Sequence, residues 1–365
     1  MVDARLEPNR MAPILEPPEN SDSLHPEPEV LFDDAPIEAT VLAHLEGRSI
    51  VTVSDFSRRE VIELCRLAAM LEAIEVSRFR PLDGKIVVTA FFEASTRTRT
   101  SFESATFRLG GNIISIPEGQ VTGVKKGESL SDIGEMFNAY ADLVVMRHTD
   151  TDAPRQIRQN LRVPLINAGN GTGEHPTQAL ADWYALLKWR PDLIGPDLPL
   201  EKRLHLGILG TPGSMRAVKS FLLMSLLFRG AIRKITVISE MADPFGDDVG
   251  REIRKCGIDY HVTNDIQSNL RELDVIYMNS IAFLGDSYKA LDARYKLDNN
   301  SPLKEDAVIL HPLARLDELS TSLDDTRHNL YFSQAHGAVF MRQGLLASVF
   351  GRLDRLSEAI SIIAA

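Results

Sequence analysis

Residues 85–103 read KIVVTAFFEASTRTRTSFE, and this stretch decides the fold. Its first eight residues are mostly apolar or β-branched, which predicts a buried strand over residues 85–92. The polar turn that follows leads into a segment that predicts a helix over residues 101–109. A strand that hands over to a helix in this way is typical of parallel strands connected by crossover helices. The stretch therefore predicts an α/β fold.

The same alternation continues on both sides of this stretch and then occurs a second time. Further strands are predicted over residues 112–116, 143–146, 164–167, 204–209, 235–239, 260–262, 275–278 and 308–310. Further helices are predicted over residues 57–71, 129–141, 177–189, 216–228 and 341–360. The first of these has a capping box, because Glu60 follows Ser57 by three residues. The pattern indicates two doubly wound parallel-sheet domains joined by helices.

The length of 365 residues exceeds what one ordinary hydrophobic core accommodates. We assign residues 46–182 to a first domain and residues 192–335 to a second, and we expect the active site in the cleft between them. A C-terminal helix within residues 340–362 is expected to pack back on the first domain.

The first 45 residues differ in composition from the rest of the chain. Residues 1–40 contain seven prolines and many acidic residues, without a hydrophobic period. Such a composition predicts a flexible, acidic, proline-rich tail. A docking segment for a partner, built on the apolar residues at 14–15 and 30–32, stays open as an alternative.

Composition and charge exclude several classes of function. The formal net charge of -11 argues against a nucleic-acid-binding protein, because phosphate backbones are held by clustered Lys and Arg. Cys65 and Cys256 stand far apart, so neither a disulfide framework nor a zinc site is expected. No apolar run is long enough to span a membrane, and the N-terminus lacks a secretion signal, so we expect a cytoplasmic protein.

The turn after the first strand has the composition of an anion-binding site. A helix that begins there exposes unpaired backbone N–H groups and the positive end of its dipole, and both favour a bound phosphate. Ser95, Thr96 and Thr98 add hydroxyl donors, and Arg97 adds a planar guanidinium suited to phosphate oxygens. The alternative is a cluster of helix-capping hydroxyls beside two solvated arginines.

The chain resembles the aspartate and ornithine carbamoyltransferase family over nearly all residues beyond 45. STRTR at residues 95–99, between FFE and SFE, resembles the carbamoyl phosphate signature of that family. Further similar motifs are VKKGESL at 124–130, VMRH at 145–148, GEHPTQAL at 173–180, Arg216 after GTPG at 210–213, and HPL at 311–313. The ornithine branch carries a His-Cys-Leu-Pro motif that is absent here, so the aspartate branch and its role in pyrimidine biosynthesis are the nearer match.

The resemblance implies a set of residues for binding carbamoyl phosphate. They are Ser95, Thr96, Arg97, Thr98, Arg147, His175, Gln178, Thr122 and Lys126. Among them it gives catalytic roles to Arg97, Thr98, Arg147 and His175, of which the last three contact the carbonyl oxygen. Because a helix N-terminus disfavours a positive charge, we expect a neutral His175 imidazole. No metal or organic cofactor is expected, since the substrate is already activated and positioning suffices.

The resemblance also implies an oligomer. Thr122 and Lys126 lie in a motif that in this family forms a loop reaching into the active site of a neighbouring subunit. The resemblance therefore predicts a homotrimer with shared active sites, and it leaves a regulatory partner open. The alternative for Lys126 is a solvated basic turn.

The acceptor side matches the family only in part. The resemblance places Arg216, Pro312 and Leu313 in the acceptor pocket, with L-aspartate as the default acceptor. Ser280 and Ala282, however, stand where the aspartate branch has the Arg and Gln that hold the aspartate side chain. Ala314 replaces the proline that follows HPL in the family. A different acceptor amine, and a protein that binds carbamoyl phosphate without turnover, therefore both remain open.

A dinucleotide-binding turn is an alternative interpretation of part of the second half. The predicted strand over residues 204–209 runs into GTPG at 210–213 and then into a helix, as such turns do. The spacing of Gly207, Gly210 and Gly213 does not match G-x-G-x-x-G, so this interpretation is the weaker one.

Overall fold

The first half of the chain forms a four-stranded parallel sheet. The computed structural model describes residues 24–32, 37–74, 80–117, 127–279 and 295–356. The strands are β1 (Ile86–Phe91), β2 (Asn112–Pro117), β3 (Leu143–His148) and β4 (Leu165–Asn170), in the spatial order β2-β1-β3-β4. Every strand pair in the sheet is parallel. The strand predicted from the opening stretch is therefore central to this sheet.

The second half forms a five-stranded parallel sheet. Its strands are β5 (Leu204–Leu209), β6 (Ile232–Ile238), β7 (Asp259–Thr263), β8 (Val275–Met278) and β9 (Val308–Leu310), in the order β7-β6-β5-β8-β9. Two parallel sheets with crossover helices confirm the predicted α/β class. No helix in the described ranges is both long and apolar enough to cross a bilayer.

Helices connect the strands and cover the sheets. They are α1 (Ala39–Ala43), α2 (Arg58–Ala73), α3 (Thr96–Arg108), α4 (Leu130–Tyr140), α5 (Ala153–Ile157), α6 (Pro176–Trp189), α7 (Arg216–Leu227), α8 (Gly246–Cys256) and α9 (Tyr331–Val349). The capping box of α2 is present, because Ser57 accepts from the Glu60 amide and Glu60 accepts from the Ser57 amide. Helix α3, which was predicted to contain residues 101–109, starts at Thr96, since extended Ser95 is its N-cap.

Two long helices, α6 and α9, join the halves. Helix α6 packs against α7, α2 and α9, and α9 also packs against α2 and α3. The last helix begins ten residues before its predicted start at about residue 341 and ends at Val349. Residues 353–356 are helical again, and the rest of the predicted helix, residues 357–360, lies outside the described residues. Gly337 and His336 interrupt the apolar period that the prediction followed, yet Gly337 is required where α9 crosses the ring of Tyr184.

The described part of the predicted tail packs on the core. A single 3-10 turn, Pro28–Leu31, lies against α2 and α6. Leu31, Leu42 and Leu45 are buried in the main hydrophobic cluster. The prediction of a flexible tail is therefore corrected for residues 24–32 and 37–45, because these isolated apolar side chains find partners only in the folded chain. The segment at residues 14–15 lies outside the described residues.

The strand orders fix where a ligand can bind. In the first sheet the order of strand addition reverses between β1 and β3, since β2 lies on one side of β1 and β3 on the other. In the second sheet it reverses in the same way between β5 and β8. Ligands of open α/β sheets bind in the crevice beyond the carboxyl ends of strands at such switch points. Here the two crevices open onto one cleft.

Candidate active site

A cleft of about 730 Å³ lies between the two sheets. Its walls come from the start of α3, the ends of β3 and β4, the starts of α6 and α7, the residues after β8 and β9, and one face of α9. Site residues predicted from the sequence that line it are Ser95, Arg97, Thr98, Arg147, His175, Gln178, Arg216, Pro312 and Leu313. The structure thus brings residues from both halves into one cavity.

Five of the predicted site residues are not seen to line this cleft. Thr122, Lys126, Ser280 and Ala282 lie outside the described residues. Thr96 is exposed and does not line the cleft; its carbonyl oxygen accepts a hydrogen bond from Thr100 Oγ1 at 2.7 Å. Thr96 stands at the first helical position of α3.

The first turn of α3 forms the wall of the cleft at which the sequence predicts anion binding. Thr98 is buried, and Ser95 and Arg97 lie beside it on the cleft. Burial lowers the pKa of Arg97, although its guanidinium remains charged at any ordinary pH. Within the described residues that guanidinium forms no hydrogen bond, so its donors are available to an anion.

Arg99, two residues further on, has a structural role. Its guanidinium donates to Ser115 Oγ at 3.1 Å and lies 3.7 Å from Glu103 Oε1. Glu103 Oε1 also accepts from Thr89 Oγ1 at 2.9 Å and from Ser115 Oγ at 2.6 Å. These bonds tie α3 to β1 and β2 and so hold the anion-binding turn in place.

Glu93 connects an arginine from each half of the chain. Arg147, at the end of β3, donates to Glu93 Oε1 at 2.8 Å. Arg216, the first residue of α7, donates to Glu93 Oε2 at 2.9 Å. Burial alone would raise the pKa of Glu93, but its hydrogen bonds to Arg216 and the charges of both arginines outweigh that effect and lower it. Glu93 was not among the predicted site residues, although it stands two residues before the STRTR motif.

His175 is buried at the start of α6 and is held by its backbone. Its amide donates to Ser220 Oγ of α7 at 2.8 Å, a bond between the two halves. Burial lowers the pKa of His175 well below its usual value, and the charges of Arg147, Arg216 and Arg342 lower it further. The imidazole is therefore neutral at pH 7, in the state that the sequence analysis expected.

Gly169 marks the point where three of these side chains meet. A β-carbon at this position would lie 3.1 Å from Arg216 Nε, 3.3 Å from an Arg147 nitrogen and 3.3 Å from the His175 ring. Its φ of 113° is also one that side-chain-bearing residues rarely adopt. The close approach of two guanidinium groups and an imidazole thus depends on a glycine at the end of β4.

The second half supplies the opposite wall. Asn279 follows β8, and the His311–Leu313 segment follows β9. His311 Nε2 lies 3.0 Å from Glu318 Oε1, and its Nδ1 accepts from the Leu313 amide at 2.8 Å. Leu313 itself has a φ of 52°, a left-handed conformation uncommon for a branched residue.

Arg342 of α9 is a second residue that sequence reasoning missed. It lines the cleft although only 4% of the residue is exposed, and its guanidinium lies 5.0 Å from the centre of the Phe102 ring. Burial lowers the pKa of Arg342 to about 10, and the charge of Asp182 opposes that shift. No local motif surrounds Arg342, so only the tertiary contact of α9 with the cleft reveals it.

Comparison with known proteins identifies the family. Residues 48–188 match the family model of the aspartate/ornithine carbamoyltransferase carbamoyl-P binding domain, and residues 202–349 match that of its Asp/Orn binding domain. The chain belongs to the aspartate/ornithine carbamoyltransferase family. It is an enzyme of the carbamoyltransferase class, as the sequence motifs predicted.

Individual relatives of this family cover most of the chain. The aspartate carbamoyltransferase catalytic subunit of Korarchaeum cryptofilum is 38% identical over 313 residues, which are 84% of this chain and 99% of the relative. That of Thermococcus onnurineus is 35% identical over 322 residues, with 85% and 99% coverage. Aspartate transcarbamoylase from Trypanosoma cruzi, solved with carbamoyl phosphate and aspartate, superimposes with a TM-score of 0.73 at 32% identity, covering 84% of this chain and 98% of that chain.

Proposed function

We propose that the protein transfers the carbamoyl group of carbamoyl phosphate to the amino group of an amino acid. One observation carries this proposal: the first turn of α3, Arg147, His175 and Gln178 share a single cleft with Arg216 from the other half. An anion-binding turn thus faces a second cation across a space large enough for two small substrates.

The reaction needs a charge-stabilising site rather than a nucleophilic side chain. The neutral amine attacks the carbonyl carbon of carbamoyl phosphate, and negative charge grows on the carbonyl oxygen. The bond between the carbonyl carbon and the phosphate oxygen then breaks, and the proton lost by the amine leaves with the product as hydrogen phosphate. Thr98, Arg147 and the neutral His175 donate to that oxygen, while Arg97 and the α3 N–H groups stabilise the leaving phosphate. One such donor typically contributes about 10²- to 10³-fold in rate.

The acceptor is proposed to be held by Arg216, whose guanidinium suits an α-carboxylate. L-Aspartate is the default acceptor, because the relatives are named aspartate carbamoyltransferases and a similar solved structure contains aspartate. Glu93 orients Arg216 by accepting its hydrogen bond at 2.9 Å. The same carboxylate also orients Arg147, so the two subsites share one anchor.

A second candidate is an amino acid with a small, neutral or cationic side chain. Ser280 and Ala282 replace the Arg and Gln that the aspartate branch uses to hold the side-chain carboxylate. A buried carboxylate without charged or multiple hydrogen-bond partners is strongly disfavoured. On this ground we expect weak use of aspartate by the natural protein.

The two candidates predict opposite results in one experiment. Labelled carbamoyl phosphate is offered with aspartate and with a panel of other amino acids, and kcat/KM is compared for the natural chain and for Ser280→Arg/Ala282→Gln. Low activity on aspartate that rises in the double variant supports the second candidate. Efficient use of aspartate without a gain in the variant supports the first. Binding of carbamoyl phosphate without transfer to any amine would refute both and indicate a binding protein.

We further propose a homotrimer whose active sites are shared between neighbouring subunits. β2 is the edge strand of the first sheet, and Ile114 on this strand and Phe107 on the adjacent α3 are exposed, the latter by 63%. Large apolar side chains at an open sheet edge favour a protein partner. In such a trimer, Thr122 and Lys126 would reach the phosphate of the neighbouring chain.

A further inference from the structure

Asp182 lies behind the cleft on α6, two turns into the helix that begins after His175. It is fully buried and does not itself line the cleft. Its Oδ1 atom accepts from Gln178 Nε2 at 2.7 Å and from Gln334 Nε2 at 2.5 Å. One carboxylate oxygen therefore holds a side chain of α6 and a side chain of α9 at the same time.

Each of these bonds leads to a different wall of the cleft. Gln178 itself lines the cleft on the anion-binding side. Gln334 uses its other polar atom, Oε1, to accept from the His311 amide at 2.9 Å. His311 begins the His311–Leu313 segment that forms part of the acceptor wall. An unbroken hydrogen-bonded path thus runs from Gln178 through Asp182 and Gln334 to the second half of the molecule.

The chemistry of a carboxylate fixes how both amides are turned. A carboxylate oxygen can only accept, so the NH₂ group of each glutamine must face Asp182. The Gln178 carbonyl oxygen is then directed away from Asp182 and is available to N–H groups of a carbamoyl substrate. The Gln334 carbonyl oxygen is likewise committed to the His311 amide. Without the shared acceptor, the partly buried Gln178 amide and the buried Gln334 amide would each lose a partner and could turn over.

The path persists when Asp182 gains a proton. Burial raises the pKa of Asp182 to about 7, although hydrogen bonds from Gln178 and Gln334 oppose the shift. The buried Tyr277 hydroxyl also interacts with this carboxylate and lowers its pKa, and Oδ2 takes part in neither glutamine bond. A proton on Oδ2 therefore leaves both bonds to Oδ1 in place.

We propose that Asp182 is a positioning residue that sets the carbamoyl phosphate side and the acceptor side of the cleft in one common geometry. This inference rests on the proposed carbamoyl transfer and adds a residue that touches neither substrate. It acts through Gln178 on one wall and through Gln334 and His311 on the other.

Four variants separate this role from a merely structural one. Asp182→Leu removes the shared acceptor, and we expect the KM for carbamoyl phosphate and the KM for the acceptor both to rise about tenfold or more, with a lower kcat. Asp182→Asn keeps an oxygen toward the two amides and turns its new NH₂ toward Tyr277, so it should restore both KM values to within about twofold. Gln178→Leu should raise mainly the KM for carbamoyl phosphate. Gln334→Leu should raise mainly that for the acceptor.

Glu72→Gln is the matched control. Glu72 is a mostly buried carboxylate of α2 that also accepts from α6, at 2.9 Å from Lys188 Nζ, but it does not reach the cleft. This control should lower the melting temperature and leave both KM values unchanged. Unchanged KM values in Asp182→Leu, or an Asp182→Asn variant as impaired as Asp182→Leu, would overturn the inference. If Asp182→Leu does not fold, an unchanged KM for the acceptor in Gln334→Leu would overturn it instead.

Calorimetry with carbamoyl phosphate alone separates this inference from the proposed function. If the natural chain transfers to no amine, the proposed function fails. The affinity comparison then still decides the role of Asp182, because weaker binding by Asp182→Leu and restored binding by Asp182→Asn are expected with or without turnover. Equal affinity for carbamoyl phosphate in the natural chain and both Asp182 variants would contradict the proposed role of Asp182.

Discussion

Two arginines of one five-residue motif have different roles because of helix geometry. Arg97 and Arg99 are two positions apart in the first turn of α3. Residues at i and i+2 of a helix point to nearly opposite sides. Arg97 therefore faces the cleft, while Arg99 faces β2 and contacts Ser115. The motif combines a ligand-binding arginine with one that fastens the helix.

Arg97→Ala should abolish detectable transfer and weaken the binding of carbamoyl phosphate by roughly 1.5–3 kcal/mol, the scale of a hydrogen bond to a charged group. Arg99→Ala is the matched control from the same turn. It should lower the stability without a comparable loss of affinity, because Arg99 contacts Ser115 and Glu103 instead. Calorimetry measures the affinity for carbamoyl phosphate and the thermal stability of both variants. An unchanged affinity in Arg97→Ala would show that the anion does not bind at this turn.

His175 should make stability sensitive to acid. Because burial lowers its pKa, the unfolded chain takes up a proton near pH 6.5 that the folded chain does not. This contribution to stability is fully present above about pH 6.5 and is lost as the pH falls toward the folded pKa, by up to about 1.4 kcal/mol per pH unit. Urea unfolding at several pH values should show a smaller loss for His175→Asn than for the natural chain.

Other buried histidines contribute to the same trend, so the difference between the two chains is the informative quantity. Burial also lowers the pKa of His205 and of His336. Parallel pH profiles for the natural chain and His175→Asn would mean that His175 titrates normally. A titration of the His175 ring between pH 6 and 7 by NMR would lead to the same conclusion.

At the scale of single elements, α9 shows how one glycine permits a helix crossing. A β-carbon on Gly337 would lie 2.7 Å from two carbon atoms of the buried Tyr184 ring. A β-carbon on Gly344, seven residues later, would lie 3.5 Å from Leu67, an ordinary contact distance. The same helix thus contains one glycine that packing requires and one that it does not.

Gly337→Ala should destabilise the protein by up to about 2 kcal/mol, because overpacking costs roughly 1–3 kcal/mol and the gain in helix propensity is about 1 kcal/mol. Gly344→Ala should be neutral or stabilising by up to about 1 kcal/mol, since only the propensity changes. Chemical denaturation of both variants provides the comparison. Equal stabilisation by both substitutions would show that α6 and α9 are packed less closely than the structure has them.

At the scale of the whole molecule, the proposed trimer makes a prediction about mixed chains. Lys126→Ala and His175→Ala chains should each be inactive alone. After subunit exchange, some sites combine an intact His175 from one chain with an intact Lys126 from its neighbour, so part of the activity should return. Activity is measured after exchange has been verified with differently tagged chains. Hybrids that remain inactive would mean that each chain supplies its own Lys126.

Much of the fold could be predicted because its signals are local. The strands β1, β3, β5 and β8 are short apolar runs bounded by turns, and the start of α2 has a capping box of adjacent residues. The start of α9 could not be predicted, because Gly337 and His336 break the apolar period there. Helix α8 was missed as well, although its apolar residues Val249 and Ile253 stand four apart.

The same distinction applies to the site: local sequence patterns predict part of it, and contacts between distant residues form the rest. The sequence by itself determined the chemistry of the anion-binding turn, since Ser95, Arg97 and Thr98 lie within four residues and a strand-to-helix turn orients them. Only the tertiary structure decided that Glu93 joins Arg147 to Arg216, that Arg342 reaches the cleft, and that Asp182 connects its two walls. The bonds of Glu93 and the bond between Asp182 and Gln334 join residues from 54 to 152 positions apart. Local propensities carry no information about such pairs, because their geometry exists only after both sheets and the helices α6 and α9 have packed together.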